Sequence, residues 1–285
     1  MTSVRKVASA TAAPAGPVSL PGPSGAWRRR AHKFGLGLLY PLPFALILLI
    51  WVLVKQVFDL SDDVLVSPAQ VVQSASELVD FGTLPSDVSL SLKRLAIGAV
   101  LATAIGIPIG LVLGFSRYGT MMFGPFLRFF QAVSGIAILP LLVVWFGFTE
   151  LTIQLVILYT ALVPVVFSTM TGVRTIPPIY GQAIETMGGT RLRLVRDVYV
   201  PGALASIVVG IRLGIGYGWR ALIAGEMLIG AGGLGFMIFD ARRFHLIGQI
   251  LAGMILIGIL YLIIDRLILK PLEDVTVRRW GLQRV

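Results

Sequence analysis

Six stretches of this chain are each apolar over about twenty residues, the length a helix needs to cross a hydrocarbon core of about 30 Å. No other feature narrows the fold so far. In lipid every backbone N–H and C=O must find a partner within the protein, so a spanning segment of this kind is an α-helix. The stretches run Phe34–Val57, Leu90–Phe115, Phe123–Phe148, Leu151–Val173, Pro201–Ile223 and Leu246–Leu269. The sequence therefore predicts an all-α integral membrane protein with six transmembrane helices over residues 34–270, flanked by tails at 1–33 and 271–285.

The remaining composition excludes several functions. Charged residues make up 13% of the chain, against about 25% in a soluble domain. There is no cysteine, so no disulfide, iron–sulfur cluster or thiolate metal site can form. The two histidines, His32 and His245, are too far apart in sequence to suggest a metal centre. A net charge of +10 would suit a nucleic-acid binder, but the basic residues flank apolar spans, which points to membrane orientation and no nucleic acid. Residues 1–33 are rich in Ser, Ala, Pro and Gly, contain no acid and include Arg28-Arg29-Arg30. They read as a disordered basic tail. A signal peptide fits less well, because the following apolar run is long enough to span and lacks a small-x-small cleavage site.

The basic residues also set a direction. Arg28–Arg30 and Lys33, then Arg117 with Arg128, then Arg174, Arg191, Arg193 and Arg196, then Lys270, Arg278, Arg279 and Arg284 fall on one side if both termini are cytoplasmic. Asp59, Asp62, Asp63, Glu77, Asp80, Asp87, Glu150 and Asp240 fall on the other. Lys55, Lys93, Arg94, Arg242 and Arg243 run against the bias. Within the outer segment 58–89, Ser67 reads as an N-cap and Pro68 as a first helical residue. The amphipathic helix that follows carries its apolar side on Val71, Val72, Ala75, Leu78 and Val79. Small residues recur at Gly106, Gly110 and Gly114 and at Gly210, Gly214 and Gly218. Such rows let helices approach closely, either within one subunit or at a seam between two.

One polar, basic loop interrupts the spans: Gln182-Ala183-Ile184-Glu185-Thr186-Met187-Gly188-Gly189, then Thr190-Arg191, and on to Val198-Tyr199-Val200-Pro201. Pro177-Pro178 ends one helix and starts another, and Gly188-Gly189 can supply the positive φ that stops it. A helix over Ile179–Met187 is too short to be stable alone in water and should be stable only when docked.

This loop resembles the E-A-A loop of binding-protein-dependent ABC importer permeases. The likeness extends over about residues 64–245, through Leu65-Val66-Ser67-Pro68, Ser89-Leu90-Ser91-Leu92-Lys93-Arg94, Gly106-Ile107-Pro108-Ile109-Gly110, Leu139-Pro140-Leu141 with Trp145-Phe146-Gly147, Gly210-Ile211-Arg212-Leu213, Gly218-Trp219, Gly225-Glu226-Met227 and Gly233-Leu234-Gly235. Together these are similar to the nitrate/sulfonate/taurine branch. Two departures stand out. Gln182 replaces the usual loop glutamate, with Glu185 three residues on, and Phe130–Ala137 lacks the family's R-P-I-P-P-L-A character.

The resemblance implies a type I permease in the bacterial cytoplasmic membrane, N-in and C-in. It implies a homodimer with a second copy of this chain, two ATP-binding subunits and an extracytoplasmic solute-binding protein. The chain itself would need no cofactor, and ATP and Mg would be bound by the partner ATPase. No G-x-x-x-x-G-K-[ST] occurs, and no catalytic constellation is visible, so the chain is not expected to be an enzyme. The loop residues Gln182–Gly189 with Arg191 are the expected coupling surface. Polar residues within the spans are candidates for the path, because lipid penalises them: Gln131, Ser134, Trp219, Arg220 and Glu226, with Thr160, Ser168, Arg212 and Tyr217 beside them. Arg220 would either meet a small anion in transit or pair with Glu226, and Arg212 would snorkel to the interface. A stand-alone secondary transporter or channel is the alternative, but it would show internal repeats, and none is evident.

Overall fold

The computed structural model describes residues 42–230 and 232–279, so the tail expected at 1–33 and the first part of the first span lie outside the described residues. Helix α1 (Leu42–Val57) belongs to a unit ending at Phe58, and a second unit begins at Asp59. At 16 residues α1 is about 24 Å long. Its Leu42, Phe44, Ile47, Leu49 and Leu53 are all exposed.

The second unit opens with α2 (Pro68–Asp80), which forms where its capping signal places it. Gln70 N donates to Ser67 Oγ (3.3 Å), while Ser67 N donates to Gln70 Oε1 (2.7 Å). Val71 and Leu78 are buried, whereas Val72 and Val79 stay exposed. There follow α3 (Thr83–Phe115), α4 (Arg117–Ala132), α5 (Gly135–Phe146), α6 (Glu150–Arg174), α7 (Pro178–Thr186), α8 (Arg191–Leu194), α9 (Val200–Ile229), α10 (Leu234–Arg243), α11 (Ile247–Ile264) and α12 (Lys270–Arg279). π-turns at Val195–Tyr199 and Asp265–Leu269 carry the chain into α9 and α12 without a break. The first part of the C-terminal tail expected at 271–285 is thus helical as far as Arg279.

Helix α6 is the spine. A methyl group built on Gly98 would strike Ile157, on Gly106 Val165, on Gly110 Thr169 and on Gly114 Val173. The constant offset makes α3 and α6 parallel. The second glycine row packs against the same helix: Gly210 meets Ser168, Gly214 meets Ala161, and Gly218 meets Ile157. Here the numbers run in opposite senses, so α9 is antiparallel to α6. Both rows therefore serve packing inside one subunit, which decides between the two uses the sequence left open.

Parallel α3 and α6 impose a topological demand. Residues 116–149 must return the chain from the end of α3 to the end where α3 began. They do so through α4 and α5, bent by 90° at the break between them. The single third span expected at Phe123–Phe148 is thus a broken one. Among the described residues four helices are long and apolar enough to cross a membrane, Thr83–Phe115, Glu150–Arg174, Leu192–Ile229 and Ile247–Thr276, or five if the bent pair counts as one. The six expected spans are therefore not all seen as single helices.

Arg212 is ion-paired. Its Nε and NH2 donate to Asp265 Oδ1 and Oδ2, both at 2.9 Å, and NH1 donates to Glu273. The expectation missed that α9 and the C-terminal helices run antiparallel and bring two carboxylates to the same depth.

Candidate functional site: a broken-helix cavity and an exposed loop helix

The break between α4 and α5 is built by long-range contacts. Val133 and Ser134 are extended. Tyr159 OH lies within donating reach of Phe130 O (3.1 Å) and Val133 O (3.3 Å), carbonyls that the end of α4 leaves without helical partners. Gly135 packs directly on Thr160, whose hydroxyl turns back to its own Val156 O (2.6 Å). A side chain at 135 would push the two helices apart.

The bend opens a cavity of about 340 Å³. Gln131, Ser134, Thr160, Tyr217 and Arg220 reach it from three helices and the break, with Phe130, Tyr159 and Ile136 as apolar wall. Ser134 makes no side-chain capping bond, so the first N–H groups of α5 are left facing this region. Arg220 lies over the Tyr217 ring at 5.6 Å, and no carboxylate is within ion-pair reach of it among the described residues. The arrangement offers a cation, an amide, hydroxyls and the positive end of a helix dipole, and it faces no negative charge.

Trp219 and Glu226, grouped with the path by sequence, are placed elsewhere. Trp219 is 4% exposed and packs with Leu139, Ile153 and Leu222 in the core. Glu226 is fully buried and does not meet Arg220. Ser91 Oγ donates to its carboxylate at 2.8 Å, Arg94 NH1 at 2.9 Å and Gly235 N at 3.0 Å. Arg94 also donates twice to Glu150, at 2.6 and 2.8 Å, and once to Gly232 O at 2.8 Å. Gly233 N donates to Asp87 (2.9 Å) and Leu234 N to Ser91 (3.0 Å). Gly233 has φ +100°, and a Cβ there would collide with the Glu226 carboxylate. The Gly233-Leu234-Gly235 run exists so that backbone can close on that carboxylate. The signal for this network was an arginine, Arg94, inside an otherwise apolar span.

At the end where α6 stops, α7 forms as its prolines and glycines dictate. Pro178 opens it, Met187 closes it, and Gly188 takes φ +74°. Gly188 N donates to Glu185 O (3.0 Å) and Gly189 N to Ile184 O (2.9 Å), the paired bonds of a Schellman stop. Gly188 stands in open space, so only its backbone angle demands glycine, whereas Gly189 lies against Ile184. Gln182, Ala183, Glu185 and Thr186 are exposed and Ile184 is half-buried. Met187 is 85% exposed, Leu192 78% and Ile179 66%. Arg191 belongs to α8 beside them. Large apolar side chains exposed together on a short polar loop suit a contact surface for protein or membrane.

Comparison with known proteins places this geometry. Residues 106–269 match the family described as the inner membrane component of binding-protein-dependent transport systems. SsuC of Bacillus subtilis, named for aliphatic sulfonates transport, is 31% identical over 81% of this chain and 83% of its own length. The taurine transport system permease TauC of Escherichia coli is 31% identical over 78% and 82%. The nitrate import permease NrtB of Synechocystis is 31% identical over 71% and 77%. A chain from the MetNI methionine ABC transporter, in an inward facing conformation, superposes with TM-score 0.53. It is 20% identical and covers 72% of this chain and 98% of that one, a likeness of fold.

Proposed function

We propose a function from one premise: the chain belongs to the family of binding-protein-dependent ABC importer permeases, in the branch of nitrate, sulfonate and taurine transport. In this reading two copies form a path for a small anion across the cytoplasmic membrane, both termini inside. A solute-binding protein delivers the anion at the outer face, and two ATP-binding subunits, which hold the ATP and Mg, drive its passage.

The observation that carries the anion is the cavity at the α4–α5 break. Arg220, Gln131, Ser134 and the free end of α5 converge there without a facing carboxylate. An anion would be held by one cation and a few dipoles, enough to enter and weak enough to leave. The names of the relatives, sulfonates, taurine and nitrate, support the same class. Orientation is supported by the way the fold sorts charge. The α7 end carries Arg117, Arg174, Arg193, Arg196 and Lys270. The opposite end carries Glu77, Asp80, Glu150 and Asp240; Lys93, Arg242 and Arg243 there still run against the bias, but Arg94 is not a loop charge, because it pairs with Glu150 and Glu226. Closure of the ATPase pair would push α7, and the close-packed α6 and α9 would carry that motion to the break.

Two expected results test this. Replacing Met187 with Asp puts a charge where an apolar side chain would be buried, and should weaken capture of the ATPase subunits at least about tenfold, while the permease still folds. Unchanged capture in a pull-down would count against α7 as the lever. Replacing Arg220 with Ala should lower uptake in proteoliposomes about tenfold or more, and leave both assembly and solute affinity of the binding protein unchanged. If the binding protein takes up only neutral or cationic solutes, the anion reading fails.

A further inference from the structure

A second, smaller cavity lies at the α7 end, and we propose that it binds the phosphate of an anionic phospholipid headgroup. It has a volume of about 190 Å³ and is lined by Gly114, Phe115, Arg117, Arg174, Ile176 and Tyr199, among others. Its depth follows from the helices that frame it. Both α3, ending at Phe115, and α6, ending at Arg174, are apolar enough to cross a membrane. The cavity therefore sits where two spanning helices leave the hydrocarbon, the level of lipid phosphates.

The lining is amphipathic in the same sense as a phospholipid. Gly114, Val173 and Ile176 form an apolar floor, with Gly114 closed directly against Val173. Arg117 and Arg174 form the mouth, and neither has a carboxylate partner among the described residues. Two unneutralised guanidiniums on one small cavity repel, and a shared phosphate converts that repulsion into charge-assisted hydrogen bonds. Tyr199 adds a phenol. Its ring is held edge-on by Phe115 at a centroid distance of 4.5 Å, and its hydroxyl has no hydrogen-bond partner among the described residues. A basic pocket between spanning helices is the geometry that recognises an anionic headgroup. A free phosphate would satisfy the arginines and leave the apolar floor bare. A lipid covers both.

The site has a mechanical position. Pro178 lines it and opens α7, and Tyr199 lines it from the π-turn that leads out of the same loop into α9. Both limbs of the exposed loop are rooted on this cavity, so its occupant fixes the base from which α7 projects. The proposal does not depend on the identity of the solute.

The test uses the full chain in mild detergent and native mass spectrometry. Phosphatidylglycerol, phosphatidylcholine or inorganic phosphate is added to the wild type, to Arg117→Gln/Arg174→Gln and to Arg117→Lys/Arg174→Lys. Phosphatidylglycerol should stay on the wild type, bind roughly tenfold more weakly to the Gln pair, and be largely restored by the Lys pair. Phosphatidylcholine and inorganic phosphate should not be retained. If the Gln pair is not recovered folded, Tyr199→Phe, which keeps the ring stack, should still weaken phosphatidylglycerol by about threefold. Equal retention by wild type and variants would overturn the site. Competition by inorganic phosphate as strong as that by the lipid would make it a free-anion site. Weakened capture of the ATPase subunits with lipid binding unchanged would make the two arginines a protein contact instead.

Discussion

Replacing Arg94 with Leu is expected to destabilise the folded permease by about 3–5 kcal/mol, enough to deplete it from the membrane. The guanidinium is 3% exposed as a side chain and bridges Glu226, fully buried, to Glu150, about half exposed. Without it Glu150 can turn to solvent. Glu226 cannot, because Ser91 and the backbone of Gly233 and Gly235 enclose it. A buried carboxylate would then face only neutral donors. The companion variant separates this cause from lost packing. Arg94→Leu/Glu226→Gln removes both charges, and should recover more than half of the loss, since neutral pairs tolerate burial far better than a lone ion. Thermal unfolding of the purified chain in detergent measures both. A single variant as stable as the wild type, or a double variant no better than the single, would refute the role of the network.

The second large effect is steric. Gly110→Leu should cost at least about 3 kcal/mol, above the usual range for an overpacked core. A Cβ at Gly110 would stand 2.5 Å from Thr169 Cβ and 2.8 Å from Val166 O, and the latter is backbone that cannot swing aside. The helices α3 and α6 would have to separate along their whole parallel contact. Gly258→Leu is the control, because that glycine in α11 has nothing within 4 Å of a built Cβ. It should unfold within a degree or two of the wild type. If Gly110→Leu and Gly258→Leu behave alike, the small residues on α3 are not what sets its distance from α6.

Local signals were legible in the sequence. The Ser67-Pro68 start, the Gly188 stop and the apolar runs of α3, α6, α9 and α11 each depend on residues within a few positions of one another, and the structure has them there, though α3 starts at Thr83, not Leu90, and α9 runs to Ile229, not Ile223. The loop over Gln182–Gly189 was readable for the same reason, as a polar interruption with its own stop signals.

Three features were not readable, and they share a cause. The bend at Ser134-Gly135 is fixed by Tyr159 and Thr160, supplied by a later helix. The partner of Glu226 is Arg94, 132 positions earlier, and not the nearby Arg220. Trp219 turns inward while its neighbour Arg220 opens to a cavity. In water, alternation of polar and apolar residues tells the inside of a helix from its outside. In lipid both sides are apolar, so that code is nearly silent. The sequence by itself determined that this chain crosses a membrane, which runs are apolar enough to do so, and where the Ser67 cap and the Gly188 stop fall. Which faces meet, where a span breaks and which charges are paired were decided only by close packing between distant helices.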